Sequence, residues 1–356
     1  MMNYKINKSK KMTLNIAIGP IPYVGGTRTH ILKIIKFSKQ KLSLINYSPL
    51  SFYSPLYKGS GFLLRHKIPF IDPYGYYLAK MVLPKYDIVH THGHPYWWDL
   101  YKRPKRSKAK YIHTVHQIYY KEDYDDKHWP WRNILNERQF QYCKQADIVI
   151  SVSKWLQEEF KERCINSVHM PNGVDIKECE KANASLFREK YNIREDFFLF
   201  VGHAGKLKRP DLFVELAKKM PDKLFVMCGG GTSEILAPRN VIALGYLPHE
   251  DILNAMAACR VFIMPSSKES FSTVMLEAMA CKKPVVATNS TGIKECIIDN
   301  EDGYLFELDD VNELHEKACK AWDNPKMGID GYEKAKKEYN CRNVIRRIDK
   351  LYEEQK

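Results

Sequence analysis

Short apolar runs alternate with longer amphipathic segments along nearly the whole of this 356-residue chain. That alternation is the pattern of β-α units around parallel sheets. In the first half the strand candidates are 14–19, 42–47, 86–91, 111–116, 147–151 and 167–170, with helical stretches at 29–41, 131–145 and 153–163. In the second half strands fall at 197–201, 223–228, 240–244, 260–264, 284–288 and 303–306, with helices near 210–220, 249–258, 272–280, 293–299 and 310–322. A chain of this length is expected to divide into two domains rather than share one core. Pro171-Asn172-Gly173 is a turn signal at the change of half. The expected fold is therefore α/β, with two Rossmann-like doubly wound domains over 1–170 and 171–330. The last segment, about 330–354, is a charged helix with no strand after it. Its docking is open, and a return to the first domain is one option.

The formal charge of +14 is informative once divided. Residues 1–170 hold 28 Lys+Arg against 12 Asp+Glu, a net of +16, and the rest hold 28 and 30, a net of −2. No acidic residue precedes Asp72. The basicity belongs to the first half, so its cause is to be sought in what that half touches. The nine cysteines are scattered, with no C-x-x-C pair, which fits free thiols better than a disulfide frame or a zinc site. No apolar stretch approaches the roughly 18 residues that span a bilayer. Together these features predict a cytoplasmic protein.

Two carboxylates stand eight residues apart in Glu269-Ser270-Phe271-Ser272-Thr273-Val274-Met275-Leu276-Glu277. The first lies in a loop and the second in a helix starting near Ser272, so both can point into one crevice. That helix start offers free N–H groups and partial positive charge, a site for a diphosphate. Two solvated glutamates on a surface helix are the bland alternative, and the surroundings decide against it. The strand 260–266 precedes the motif. After it come Ala278-Met279-Ala280-Cys281-Lys282-Lys283-Pro284-Val285-Val286-Ala287, Thr291-Gly292-Ile293-Lys294-Glu295 and Asp302-Gly303-Tyr304-Leu305. Upstream lie Met170-Pro171-Asn172-Gly173-Val174-Asp175, Gly202 through Lys208, Gly229-Gly230-Gly231 and Asn240 to Tyr246.

This ordered series resembles the donor-binding half of glycosyltransferase family 4, which has the GT-B fold. The resemblance implies a retaining enzyme moving a hexosyl unit from a nucleotide sugar, UDP before GDP, with no metal or other cofactor. It implies that Lys208 binds the donor diphosphate, with His203 helping where the family usually has arginine. Backbone N–H groups near Ser272 and Thr273 would add donors, within a donor-binding stretch that also takes in Ser270 and Phe271. Gly25-Gly26, between the first strand and a helix, would border the same phosphates. Glu277 would accept both ribose hydroxyls, and Glu269 would hold the sugar and steady its transition state. His116, ending the strand 111–116, would contact the sugar from the facing domain and share the catalytic role with Glu269. Ser272 and Lys282 both stand where the family commonly has glycine.

His90-Thr91-His92-Gly93-His94 looks at first like a metal cluster. Alternation sends His90 and His92 to one face of a strand with His94 in the loop, and no metal is predicted there. The basic first half, with its 29–41 helix and the Trp97-Trp98 stretch running into lysines and arginines, suits an anionic membrane surface and a lipid-linked acceptor. A soluble saccharide acceptor is the same-fold alternative. A nucleic-acid-binding protein is the alternative from another class, and it leaves the donor series unexplained.

Overall fold

A computed structural model describes residues 14–19, 25–44, 86–93, 108–124, 126 and 129–355. His94, the Trp97-Trp98 run and the end of the 42–47 strand lie outside the described residues. Two six-stranded sheets carry the fold, each parallel throughout. The first contains β1 (Asn15–Gly19), β2 (Lys41–Leu44), β3 (Ile88–His92), β4 (Lys110–Val115), β5 (Ile148–Ser151) and β6 (Val168–His169) in the order β2-β1-β3-β4-β5-β6. The second contains β7 (Phe197–Val201), β8 (Leu224–Cys228), β9 (Val241–Ala243), β10 (Val261–Met264), β11 (Val285–Thr288) and β12 (Tyr304–Phe306) in the order β12-β11-β10-β7-β8-β9. Helices cover both faces, which is why the central strands read as unbroken apolar runs such as Phe197–Val201.

Each sheet reverses its strand order at one point, between β1 and β3 in the first and between β7 and β10 in the second. Open α/β sheets bind ligands outside the carboxyl ends of strands at such a point. Here those ends deliver the Gly25-Gly26 turn, His92 and His116 from one side, and Gly202–Lys208 and Glu269 from the other.

The chain returns to the first sheet at its end. In the helix Cys341–Glu353, Val344, Ile345, Ile348, Leu351 and Tyr352 recur on one face and are buried. Ile345, Ile348, Leu351 and Tyr352 pack with Leu14, Ile16, Ile18, Ile31 and Ile34 in one cluster. Polar contacts fix the register. The Tyr352 hydroxyl lies 2.6 Å from His90 Nδ1, and the Asp349 carboxylate accepts from Ser38 Oγ (2.5 Å) and the Lys39 amide (2.8 Å).

Two expected elements differ. The single helix over 330–354 is two helices, Lys326–Glu338 and Cys341–Glu353. Between them the backbone turns aside to pair with the interdomain turn, Val174 N–H to Tyr339 O and Cys341 N–H to Val174 O, and the Asn340 side chain caps the second helix. This close return explains Gly173, where a Cβ would lie 2.6 Å from the Cys341 Cα. The helix expected at 293–299 is a run of turns, with hydrogen bonds from Ile293 to Ser290 and from Cys296 to Ile293 in place of a helical ladder.

Tyr352 is fully buried and closes the first core. Tyr352→Ala is expected to lower unfolding free energy by about 3–5 kcal/mol, read from the denaturant midpoint at constant slope.

Candidate active site

The Gly25-Gly26 turn and the Ser272-Thr273 turn meet across the cleft. Gly25 has φ of 100°, a conformation that glycine adopts without strain, and the helix Gly26–Phe37 starts at once, with no side-chain cap. A Cβ on Gly26 would come 3.8 Å from Thr273 Oγ1, at the start of the helix Thr273–Ala280. Ser272 is committed to capping that helix, its hydroxyl accepting from the Met275 amide at 3.3 Å. Two helix N-termini, one from each half of the chain, therefore face the same space with unsatisfied amides and partial positive charge.

Glu269 sits on the loop leading into this turn and pairs with Lys208. The loop is held from behind: Glu269 O accepts from the Gly292 amide (2.9 Å) and Thr291 Oγ1 (2.9 Å), and the Glu269 amide donates to Thr291 Oγ1 (3.0 Å). A Cβ on Gly292 would collide with the Ser270 carbonyl, so the Thr291-Gly292 pair sets how the Glu269 loop lies. Ser270 is half-buried beside it. Phe271 points away, its buried ring edge-on to Tyr339 and its carbonyl accepting from Asn172 Nδ2 at 3.3 Å. Only its backbone borders the turn.

Glu277 is 4% exposed, one turn into the same helix. Both of its described contacts fall on Oε1: His249 Nε2 at 3.1 Å and Lys33 Nζ at 3.8 Å. Lys33 is itself buried and donates to Gly173 O at 3.0 Å. A buried carboxylate needs paired charge, and here a lysine from the first half and a histidine from the second supply it. The hydrogen bond to Glu277 raises the His249 pKa above its ordinary 6.5, with help from Glu178 3.7 Å from Nδ1.

Histidines line the first-sheet side. His92 Nδ1 lies 3.2 Å from His116 Nε2, and the His30 ring packs edge-on to both, with centroids 5.5 and 5.1 Å away. Burial holds His30 down to about pKa 3, with Lys33 adding to the shift. His92 lies well below the usual imidazole range, again by burial and then by its histidine neighbours. His90 shares the strand face with His92, as alternation predicts, at a ring separation of 4.3 Å. Its two nitrogens engage Tyr352 and Thr114. His203 is exposed on the Gly202–Lys208 loop.

Two family models tile the chain: "Glycosyltransferase Family 4" matches residues 48–178 and "Glycosyl transferases group 1" matches residues 183–338. The chain is a family 4 glycosyltransferase. It is 26% identical to an uncharacterized glycosyltransferase of Methanocaldococcus jannaschii over 94% of this chain and 95% of that one. It is 28% identical to the UDP-Gal:alpha-D-GlcNAc-diphosphoundecaprenol alpha-1,3-galactosyltransferase of Escherichia coli, over 75% and 74%. Among solved structures, sucrose-phosphate synthase from Thermosynechococcus elongatus superposes with a TM-score of 0.77 at 19% identity, covering 96% of this chain and 98% of that one. Anabaena HepE in complex with UDP and glucose does so at 0.76 and 17% identity, over 96% and 100%. The fold of this glycosyltransferase is thus GT-B.

Sequence reasoning missed three residues that the transferase cleft brings in. Lys33 read as one of the basic residues of the 29–41 helix suited to a membrane surface, yet it sits between Ile31 and Ile34 on the buried helix face. His30, one turn into that helix, and His249, at the start of the helix His249–Ala258, carried no motif of their own. A lysine inside an apolar stripe was the one available signal.

The raised His249 pKa fixes the sign of a pH effect. Its stabilisation is fully present below pH 6.5 and is lost as pH rises through the raised folded value. Relative to the wild type, His249→Gln should therefore lose more stability at mildly acidic than at mildly alkaline pH, read as the difference between the two unfolding midpoints at each pH. The difference isolates His249, because the buried His30 and His92, with lowered pKa, contribute in the opposite direction.

Proposed function

We propose that this glycosyltransferase binds a UDP-hexose in the cleft and transfers the sugar, with retention, to a lipid-linked acceptor at an anionic membrane surface. The observation that carries the proposal is the meeting of two helix N-termini at Gly26 and Thr273. A diphosphate placed there takes amides from both halves of the chain, so its binding draws the halves together and excludes water. Lys208 and Glu269, paired in the free protein, exchange partners: the ammonium turns to the diphosphate and the carboxylate to sugar hydroxyls. His203 extends the same loop towards the phosphates.

Glu277 receives the ribose through Oε2, since Oε1 is held by His249 and Lys33. His116 approaches the sugar from the first sheet. Leaving-group charge is thus met by fixed donors at one end of the cleft, which favours departure of the diphosphate before the acceptor bond is complete. Retention follows when the acceptor hydroxyl enters on the face that the diphosphate vacates.

Two features support a lipid-linked acceptor. The E. coli relative acts, by its name, on a diphosphoundecaprenol-linked sugar. In the first half, the Gly26–Phe37 helix exposes Leu32 and Ile35 beside Lys36 and Lys39. None of the described helices is long and apolar enough to cross a membrane, so the proposed association is peripheral. A soluble acceptor is the second reading, favoured by D-inositol 3-phosphate glycosyltransferases 28% identical over 64% of this chain, which spans 57% of their length.

Transfer from UDP- and GDP-hexoses to an undecaprenyl-diphosphate sugar and to inositol 3-phosphate, with the product anomer read by NMR, tests the proposal. Transfer from a UDP-hexose to the lipid with the anomer retained is expected, and Lys208→Ala should lower kcat/KM by about a hundredfold or more. Transfer only to the soluble acceptor would replace the lipid reading. An inverted product, or no turnover of any nucleotide sugar, would overturn the mechanism.

A further inference from the structure

The transfer mechanism uses His116 and gives no task to the two buried histidines beside it. His92 ends β3 and His30 lies in the first turns of the Gly26–Phe37 helix. With His116 they place one ring nitrogen each within 4.8 Å of one another. His30 and His92 are 4% and 1% exposed, and among the described residues no hydrogen-bond partner meets His30 Nε2. A buried polar nitrogen without a partner is costly, and a ligand that engages it recovers that free energy.

We propose that His30, His92 and His116 form a binding site for a divalent transition metal of the zinc class. The ligand set decides the class. Three imidazoles with no carboxylate among them suit zinc, cobalt, nickel or copper, whereas magnesium and calcium demand oxygen. Spacing agrees: tetrahedral zinc–nitrogen bonds put neighbouring nitrogens roughly 3.3 Å apart, and His92 Nδ1 to His116 Nε2 is already 3.2 Å. The His30 ring, edge-on to both, is the third ligand. His90 is excluded because Tyr352 and Thr114 engage both of its nitrogens. Three protein ligands leave a fourth position for water or another exchangeable group. His116 is the partly exposed member, so ions enter from its side.

The consequence rests on the sugar-contacting role proposed for His116. A metal on that ring removes it from the sugar, so the ion is a reversible inhibitor and not a cofactor of transfer. Nucleotide contacts lie elsewhere in the cleft, so the metal should weaken binding of a UDP-hexose and leave binding of UDP itself unchanged.

Cobalt(II) titration of the metal-free full chain tests the site directly, because four-coordinate cobalt has intense visible bands. The expected result is a band that saturates at one equivalent and is bleached by Zn²⁺. It should be lost in His30→Gln and in His92→Gln and kept in His249→Gln, with circular dichroism reporting which variants are folded. Either histidine variant alone carries the comparison if the other fails to fold. No saturable band in the wild type, or a band that persists in a folded His30→Gln or His92→Gln, overturns the site. Calorimetry then compares UDP and UDP-hexose binding with and without Zn²⁺. An unchanged UDP-hexose affinity in the zinc-loaded protein overturns the inhibition. Failure of the metal-free protein to bind either nucleotide would count against the donor reading, while the cobalt band judges the metal site by itself.

Discussion

Two helix N-termini that face each other need something negative between them. Gly26 and Thr273 bring those termini together from opposite halves of the chain, and much of the cleft can be understood from that constraint. Amides that each helix leaves unsatisfied are costly to bury against one another and favourable against an anion. The strand orders put them there. Each sheet switches direction at one point, and the turns that leave the two switch points are the ones that meet. Gly25 enters its helix at a positive φ that an L side chain would strain.

Around this positive centre the charged side chains form a second level of organisation. Glu277 is buried and shared between Lys33 and His249, and Lys33 also holds the carbonyl of Gly173 in the interdomain turn. Further out, Lys36 reaches Asp175 at 2.7 Å. On the other side of the cleft Lys268 reaches Glu122 at 2.6 Å, and Glu295 caps the helix Lys154–Lys161 through the Lys154 and Trp155 amides. The exposed members of this set contribute little stability singly. The buried ones fix the position of the Glu277 carboxylate relative to both sheets, because neither it nor Lys33 can be stranded without cost.

The fold was legible because parallel sheets covered on both faces write themselves as apolar runs, and the strands fell close to where those runs lie. The glutamate pair, Lys208 and the glycine turns were legible because chemistry imposes spacing on them. What escaped depends on tertiary context. The break at Tyr339-Asn340 arises from pairing with Val174, far away in sequence. Ile293 begins turns because Gly292 is held against the Glu269 loop. Phe271 sits inside the motif yet faces the core, a direction that local sequence does not state. Lys33 and His249 became site residues only when two helices from different halves were laid beside the same carboxylate, and His30 only when its helix met His92 and His116.

A crystal structure of the full chain with UDP tests the central claim most directly. The account predicts the diphosphate within hydrogen-bond distance of the Gly26 and Thr273 amides, Lys208 released from Glu269, and the ribose on Glu277 Oε2. A nucleotide bound elsewhere, or a diphosphate that touches one half of the chain only, would contradict it.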